Sequence, residues 1–512
     1  MKLPSAIDRL RGALIDPARR ERTMLLVLAA YVVLWTAYGT VAKASQGLHP
    51  DMTEMVAWSR DLAWGFDKHP PLGAAVVFLW FHVFPLAEWS YYLLAMLMPA
   101  LALWIAWRLS ADYLDGEKRV AGLALLTLVP FFNFHALKYN ANTVLLPLWA
   151  AAAFFFLRSY RTRGAGWAAL AGLAAAACMY GKYWSVVLLA GLALAALLDA
   201  RRAAYFRSPA PWITAAVGLL ALAPHLVWLW RHDFTPLSYA AAIHAAKPFG
   251  ESLVHALGYL AGSLGYVAVP VAIALIMARP GRALAADMIW PAERERRLAA
   301  AAFWAPLLLP AILAPLSGSD VTSLWSMSAW TLLPVLLLSA PAIVVREVDT
   351  TRILTAAIAL PILALIAAPV VAVMAQRAGP APAGAHGRLL AQEIERQWRM
   401  ALPYALRFVG GDTDLAYAVA GYARDAPRAL PGLPPPEAAE LAQGGAVFVC
   451  AAESEGCKAA AAAKAAELGG TVVAPPTDAP YSRMTVLGDP QGATFSATAF
   501  VPENKDVGRE AA

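Results

Sequence analysis

A series of long apolar runs between charged residues limits the fold of this sequence more than any other feature. A helix needs about 20 apolar residues to cross the hydrocarbon layer of a membrane. Eleven runs approach that length, at 23–43, 91–107, 119–136, 143–157, 165–180, 183–198, 211–229, 253–277, 299–316, 326–344 and 353–374. The 60% of hydrophobic residues and the mean hydropathy of +0.54 agree with this pattern. We therefore predict an all-α polytopic membrane protein with about 11 transmembrane helices plus interfacial helices, and exclude a soluble multidomain enzyme.

The distribution of positive charge predicts the orientation in the membrane. Residues 1–22 form a basic arm, which the positive-inside rule places in the cytoplasm. If the apolar segment 71–86 lies at the interface, the Lys and Arg residues before 377 divide into 22 on the cytoplasmic side and 7 outside. We predict a multi-pass protein of the bacterial inner (plasma) membrane, with a transmembrane domain at 23–375 and a first periplasmic loop at 44–90. The net charge of +6 is scattered between apolar runs, which excludes nucleic acid as a partner.

The last part of the chain, residues 376–512, differs in composition and is predicted to be a small soluble α/β domain in the periplasm. Strand-like runs occur at 404–409, 446–450 and 484–487, and an Ala-rich helix is expected near 458–467. Cys450 and Cys457 would lie in an oxidising compartment, where they form either a short-loop disulfide or two free buried thiols.

The most informative stretch is the first external loop, HPDMTEMVAWSRDLAWGFDKHPPL, at residues 49–72. If residues 51–65 are helical, Asp51 and Glu54 share one face, as a base and an orienting or metal-binding partner would. The same spacing also suits a helix start in which Asp51 is the N-cap and Glu54 its capping-box partner. Both interpretations stay open from spacing alone.

Two further groups of polar residues are predicted on the external side. Lys68, Lys138, Lys182 and Arg231 provide either a phosphate site or charge at the level of the lipid headgroups. A second group offers metal coordination, acceptor binding or interfacial packing, although its spacing matches no compact zinc motif; it contains His225, His232, Asp233 and His244. Seven tryptophans, most of them expected in an interfacial belt, also occur there: Trp58, Trp64, Trp89, Trp184, Trp228, Trp230 and Trp325.

The first loop resembles that of glycosyltransferase family 39, whose relatives include the protein O-mannosyltransferases and the aminoarabinose transferases of lipid A. In that family an acidic residue after the first membrane helix precedes a segment ending in G-Y-x-K/D-x-P-P-L. Asp51 and the stretch Gly65-Phe66-Asp67-Lys68-His69-Pro70-Pro71-Leu72 match it. The stretches LKYNANTVLLPLW, GKYWSVVLL and PHLVWLWRHDFTPLSYA are also similar to the family's bacterial members, so the resemblance covers roughly residues 25–345.

The resemblance implies a glycosyltransferase-C fold and an enzyme that passes a sugar from a polyprenyl phosphate to an acceptor outside the cytoplasm. The family's catalytic acid carries over to Asp51. Many members have Asp-Glu adjacent in this loop, whereas Met52 follows Asp51 here, and many have Asp where this chain has Asn140-Ala141-Asn142. No cofactor is therefore assigned, and a divalent metal is left open.

These considerations assign roles to twelve residues. The predicted catalytic residues are Asp51 and Glu54; the predicted ligands of the donor phosphate are Lys68, His69, Lys138, Lys182 and Arg231; the predicted substrate-binding residues are Asn140, Asn142, Tyr183, His225 and His244. The expected partners are a polyprenyl-phosphate-linked sugar donor, a lipid or glycan acceptor and membrane lipids. Two alternative functions are a lipid-carrier glycan ligase or polymerase and a secondary transporter. A transporter should show ionisable groups at mid-membrane and related halves, and neither is visible in the sequence.

Overall fold

The structure is a computed structural model of the 512-residue chain. It describes residues 5–244, 247–378, 387–433, 436–437, 440–441, 444–451, 454–467, 471–479, 482–488 and 494–500. The chain forms two compact units. The first contains Met1–Val41, Lys68–Gly73 and Trp89–Ala368, and the second contains Ala42–Asp67, Ala74–Glu88 and Pro369–Ala512.

Most of the described chain is helical. The α-helices are, in chain order, α1 (Ala6–Ile15), α2 (Arg20–Ala42), α3 (Pro50–Ser59), α4 (Leu72–Val83), α5 (Glu88–Ser110), α6 (Gly116–Thr127), α7 (Ala141–Thr162), α8 (Ala165–Gly181), α9 (Ser185–Leu198), α10 (Arg202–Phe206), α11 (Ala210–Arg231), α12 (Thr235–Ile243), α13 (Phe249–Ala278), α14 (Arg282–Ile289), α15 (Arg294–Ser317), α16 (Leu333–Leu338), α17 (Glu347–Arg377), α18 (Gly387–Ala401), α19 (Thr413–Tyr422) and α20 (Glu455–Glu467). Two 3-10 helices, Pro130–Phe132 and Ser323–Leu332, lie between them.

Within the described ranges, seven helices are long and apolar enough to cross a membrane: α2, α5, α7, α11, α13, α15 and α17. The other four predicted crossings fall on shorter helical pieces. They correspond to α6 with the 3-10 turn Pro130–Phe132, α8, α9, and the 3-10 helix Ser323–Leu332 with α16. The 14 residues of α9 span about 21 Å, less than the roughly 30 Å of hydrocarbon. The several apolar helices are thus confirmed, and the count of eleven crossings stays a prediction.

Burial distinguishes the helices of the first unit. The apolar stretches of α5, α7 and α15 are mostly buried, whereas those of α11, α13 and α17 are mostly exposed. Leu220, Ile276 and Ile366 are examples of large apolar side chains on these exposed faces. Exposed apolar faces of this kind are favourable in contact with lipid chains, as expected for a membrane protein.

A close helix crossing sets the position of two candidate site residues. A Cβ atom on Gly172 of α8 would lie 2.5 Å from the carbonyl oxygen of Thr214 on α11, so only glycine allows this approach. Toward the C-terminal ends of the same two helices, Lys182 is the C-cap residue of α8, and His225 lies in α11. The packing of α8 on α11 therefore holds the segments that bear these two side chains.

The C-terminal part of the second unit contains a six-stranded sheet. Its strands are β1 (Phe408–Gly411), β2 (Arg428–Ala429), β3 (Ala446–Ala451), β4 (Thr471–Ala479), β5 (Ser482–Gly488) and β6 (Thr494–Phe500), in the spatial order β2-β1-β3-β6-β5-β4. β1 is parallel to β2 and β3, and β3 is parallel to β6, whereas β5 is antiparallel to both β4 and β6. The predicted α/β character is confirmed, although the run at 404–409 becomes a strand only at Phe408. The boundary at residue 376 stays a prediction.

A tight connection follows β1. Gly411 has a φ of +102°, and a Cβ atom there would lie 2.1 Å from the carbonyl oxygen of Val449. The carboxylate of the next residue, Asp412, accepts hydrogen bonds from the Ala451 amide and the Ser454 hydroxyl. Cys450 and Cys457 form a disulfide beside it, which decides between the two alternatives left open by the sequence.

Candidate active site

The helix of the first loop, α3, begins two residues earlier than the capping interpretation requires. Its N-cap is His49, whose Nδ1 atom accepts a hydrogen bond from the Asp51 amide at 3.2 Å. Pro50 occupies the first helical position, where its fixed φ is favourable and its missing N–H group costs nothing. Asp51 thus lies in the first turn, which excludes the alternative in which Asp51 is the N-cap and Glu54 its capping-box partner.

The two carboxylates of α3 differ in exposure. The Asp51 side chain is 31% exposed, and its Oδ1 atom lies 3.6 Å from Nδ1 of His49. Glu54 follows three residues later and is buried. Burial raises the pKa of the Tyr417 phenol, and the carboxylates of Glu54 and Asp67 raise it further. Glu54 is therefore surrounded by protein, whereas Asp51 is accessible to a reactant.

The rest of the loop departs from the predicted helix over 51–65. α3 ends at Ser59, and the side chains of the next two residues contact residues 420 and 428. The Arg60 guanidinium donates a hydrogen bond to the carbonyl oxygen of Ala420. The Asp61 carboxylate accepts a hydrogen bond from the Arg428 guanidinium and forms an ion pair with it. Burial lowers the pKa of Arg60 to about 10.

Trp58 is a second departure in this loop. It lies in the protein interior rather than in an interfacial belt, stacked on Phe66 with 4.7 Å between ring centres.

In the first unit, a hydrogen bond connects two of the predicted phosphate-binding segments. Lys68 and His69 are half-buried, and they precede two buried prolines after which α4 begins at Leu72. The buried Tyr139 donates its hydroxyl to the carbonyl oxygen of Gly73 at 3.1 Å. The segment Lys68–Gly73 is thereby joined to the segment that carries Lys138.

Asn140 and Asn142 follow Lys138 and have different roles. The Oδ1 atom of Asn140 accepts from the amides of Asn142 and Thr143, which makes Asn140 the N-cap of α7. The Oδ1 atom of Asn142 instead accepts a hydrogen bond from Nζ of Lys182 at 2.7 Å. This hydrogen bond joins two residues that are 40 positions apart in the sequence.

Trp325 brings further candidates together, and we call Asn142, Lys182, His244 and Trp325 the Trp325 cluster. Nζ of Lys182 lies 5.4 Å from the centre of the Trp325 ring, a distance that permits a cation–π contact. His244 meets the same ring edge-on at 5.0 Å. Nδ1 of His244 also lies 2.5 Å from Oδ1 of Asp320, within hydrogen-bond distance. Asp320 was missed by the sequence reasoning, although it is the only carboxylate between Ser317 and Trp325.

Tyr183 and His225 form a neighbouring aromatic stack. His225 is buried and lies parallel to the Tyr183 ring at 5.7 Å and to the Trp228 ring at 5.9 Å. The Tyr183 hydroxyl is buried with no hydrogen-bond partner among the described residues. A ligand hydroxyl or phosphate oxygen could satisfy it.

The group His225, His232, Asp233 and His244 does not converge on one point. His232 stacks on Trp228, whereas His244 pairs with Asp320. Within the part of the chain that the structure describes, one set of three residues meets closely enough for a metal ion, and it consists of Asp412, Cys450 and Cys457. Its sulfurs are joined in a disulfide, so they offer no thiolate ligands.

Arg231, a predicted ligand of the donor phosphate, is exposed at the end of α11.

A cavity of about 440 Å³ lies among α7, α8, α9 and α11. Alanine and other apolar side chains form nearly all of its lining, and none of the candidate residues is among them within the described chain. Its chemistry suits hydrocarbon rather than a sugar.

Comparisons with known proteins support the predicted resemblance. Residues 68–228 match the family described as dolichyl-phosphate-mannose-protein mannosyltransferase. The chain is 30% identical over 209 residues to the lipopolysaccharide core galacturonosyltransferase RgtB of Rhizobium johnstonii, a stretch that covers 40% of this chain and 41% of that protein. The chain thus spans about two fifths of the length of this curated relative.

The fold is similar to that of ArnT from Cupriavidus metallidurans. The apo structure of that protein has a TM-score of 0.56 at 14% identity, covering 88% of this chain and 96% of ArnT. The structure bound to undecaprenyl phosphate has a TM-score of 0.53 at 12% identity, covering 86% and 88%. The predicted resemblance to glycosyltransferase family 39 and the glycosyltransferase-C fold is confirmed. The family match begins at Lys68 and does not reach Asp51.

Proposed function

From this resemblance to glycosyltransferase family 39, we propose that the chain is a membrane glycosyltransferase that moves a sugar from a polyprenyl phosphate to an acceptor outside the cytoplasm. The observation that carries the proposal is the arrangement of lysines within residues 68–228. The Tyr139–Gly73 hydrogen bond joins the segments of Lys68 and Lys138, and the Asn142–Lys182 hydrogen bond adds a third cation. Fixed cations are what a phosphate leaving group requires.

Asp51 is assigned as the base. Its carboxylate is accessible, and it is not occupied as a helix cap because His49 has that role. In the reaction, the acceptor hydroxyl or amine attacks the anomeric carbon, and Asp51 takes the proton that the acceptor loses. The bond between the anomeric carbon and the phosphate oxygen breaks, and its electron pair leaves with the lipid phosphate. Glu54, which is buried, supports α3 rather than meeting the acceptor.

The phosphate and substrate roles follow from the first unit. We assign the lipid phosphate to Lys68, His69, Lys138, Lys182 and Arg231. The Trp325 cluster and the stack of Tyr183 on His225 offer the hydroxyl, amide and imidazole groups that hold a sugar, whereas Asn140 holds the start of α7. A divalent metal is the alternative, and the groups of potential metal ligands described above do not favour it.

The finer assignments come from relatives. One related structure contains undecaprenyl phosphate, and another relative is named for transfer to the lipopolysaccharide core. We propose a polyprenyl-phosphate donor, a lipid or glycan acceptor of the cell envelope, and a location in the inner membrane with the C-terminal domain in the periplasm. Contacts with membrane lipids are provided by α11, α13 and α17.

A deletion strain tests the proposal directly. Without the enzyme, the sugar-charged polyprenyl phosphate should accumulate, and mass spectrometry of extracted lipids would identify the sugar. Wild-type protein should remove the accumulated lipid, and purified protein in lipid vesicles should consume it and release the free polyprenyl phosphate. An unchanged lipid profile together with no consumption in vesicles would reject the proposal.

A further inference from the structure

We propose that α19 of the C-terminal domain is the positioning element for α3, and that the Tyr422 hydroxyl sets the start of α3 and thereby the direction of Asp51. The inference rests on the proposed function, because it takes Asp51 as the base. All of the contacts that carry it lie within the second unit.

The first contact is at the start of α3. The Tyr422 hydroxyl accepts a hydrogen bond from the Leu48 amide and donates one to Oε1 of Glu88 at 2.9 Å. Arg388 forms an ion pair with the same carboxylate. Leu48 directly precedes the N-cap His49, so this hydroxyl holds the backbone from which α3 begins.

The hydrogen bonds of Tyr422 are stable to changes of pH in the neutral range. Burial raises the pKa of its phenol, and the Glu88 carboxylate raises it further. The hydroxyl therefore keeps its proton well above pH 7, and its bond to Glu88 persists. A pH dependence of transfer should consequently come from other groups.

The second contact is a close approach of Gly421, near the end of α19, to Thr53 of α3. A Cβ atom on Gly421 would lie 3.0 Å from Cγ2 and 3.2 Å from Cβ of Thr53. Thr53 itself is buried and stands two residues after Asp51. Glycine at 421 therefore allows α19 to lie directly against the buried face of α3.

The third contact holds the far end of α3. The buried Trp58 donates its Nε1–H to the Tyr417 hydroxyl at 3.2 Å, and that hydroxyl donates to the carbonyl oxygen of Pro431 at 3.0 Å. Arg60 reaches the carbonyl oxygen of Ala420, and Asp61 pairs with Arg428. Both ends of α3 are thus fixed by residues more than 350 positions further along the chain.

This arrangement matters because a base works only within hydrogen-bond reach of its proton, about 2.6–3.2 Å. A displacement of about 1 Å can lower a rate by roughly 100-fold. Removing the Tyr422 hydroxyl leaves the Leu48 amide without this acceptor and loosens the start of α3. We therefore expect Tyr422→Phe to lower kcat by about 10- to 100-fold and to leave the KM for the lipid donor nearly unchanged.

The experiment compares full-length Tyr422→Phe with wild type in lipid vesicles at equal amounts of folded protein. Tyr239→Phe, at an exposed tyrosine on α12, is the matched control and should keep wild-type kcat. A purely structural role would lower the melting temperature or the yield without lowering kcat per folded molecule. A wild-type kcat in Tyr422→Phe would overturn the inference.

A cross-link provides a second test that does not depend on Tyr422. A Cβ atom at position 421 would lie 3.2 Å from Cβ of Thr53, slightly inside the about 3.5–4.5 Å spacing of a disulfide, so a shift of a few tenths of an ångström should let Thr53→Cys with Gly421→Cys cross-link in membranes. The oxidised and reduced forms should then turn over at similar rates, with wild type treated identically as control. Failure of the folded double-cysteine protein to cross-link would contradict the fixed position of α3 on α19. Loss of activity in the oxidised form but not in the reduced form would also contradict it.

Asp51→Asn separates the two proposals. If Asp51→Asn stays active, the assignment of the base fails whatever Tyr422→Phe does. If Asp51→Asn is inactive while Tyr422→Phe is normal, the base stands and the positioning by α19 is wrong.

Discussion

Nζ of Lys182 donates a hydrogen bond of 2.7 Å to Oδ1 of Asn142. The acceptor is a neutral amide, which orients the ammonium group without adding a negative charge where a lipid phosphate is proposed to bind.

The charge at position 142 can be tested by substitution. We expect Asn142→Asp to raise the KM for the lipid donor about tenfold, because a carboxylate a few ångströms from a phosphate repels it by about 1–4 kcal/mol in partly screened surroundings. Asn142→Ser removes the amide without adding charge and should have a smaller effect. Equal effects of the two substitutions would show that charge is not the cause.

Lys68 is predicted to be the most important external lysine. It lies directly before the His69-Pro70-Pro71 turn, whose buried prolines stiffen the backbone that carries it. Lys68→Ala should weaken donor binding by about 1.5–3 kcal/mol, the usual worth of a hydrogen bond to a charged group. Lys43→Ala, at an exposed lysine bonded to Gln46, is the control. Unchanged donor affinity would transfer the role to Lys138, Lys182 or Arg231.

Asp51→Asn should lower the transfer rate by a factor of about 10²–10⁴, the usual effect of losing a general base. The stability of α3 should change little, since His49 rather than Asp51 caps the helix. Transfer is measured in membranes with matched protein levels, and Asp115→Asn at an exposed position serves as the control. Substantial activity in Asp51→Asn would reject Asp51 as the base.

The N-cap can be tested independently of the chemistry. His49→Ala should cost about 1 kcal/mol of stability, because the Asp51 amide loses its acceptor. His49→Asn retains a side chain that can cap and should restore most of that loss. The melting temperature of the purified protein is the measurement, and a wild-type value for His49→Ala would contradict the capping role.

The predicted orientation in the membrane rests on the charge asymmetry of 22 against 7. Alkaline phosphatase, which is active only outside the cytoplasm, should be active when fused after residue 512 and inactive when fused after Lys118. The opposite result at either site would reject the topology and the external placement of the site.

Several features of the site were open to sequence reasoning, because they depend on neighbouring residues. The apolar helices and the strands near 446–450 and 484–487 were predicted from local patterns and are confirmed. Pro50 could have indicated the true start of α3, since proline favours the first helical position. The end of α3 at Ser59 could not be predicted, because the partners of Arg60 and Asp61 lie in the C-terminal domain.

By itself, the sequence determined that this chain is a helical membrane protein with a small C-terminal α/β region, and it indicated a resemblance to family 39. These properties depend on composition and on patterns a few residues long, which remain the same however the helices pack. Only the tertiary structure decided that Tyr422 holds the start of α3, that Lys182 meets Asn142, and that Trp325 contacts both Lys182 and His244. Each of these contacts joins residues that are 40 or more positions apart, and such pairs meet only when the packing of whole helices has placed them side by side.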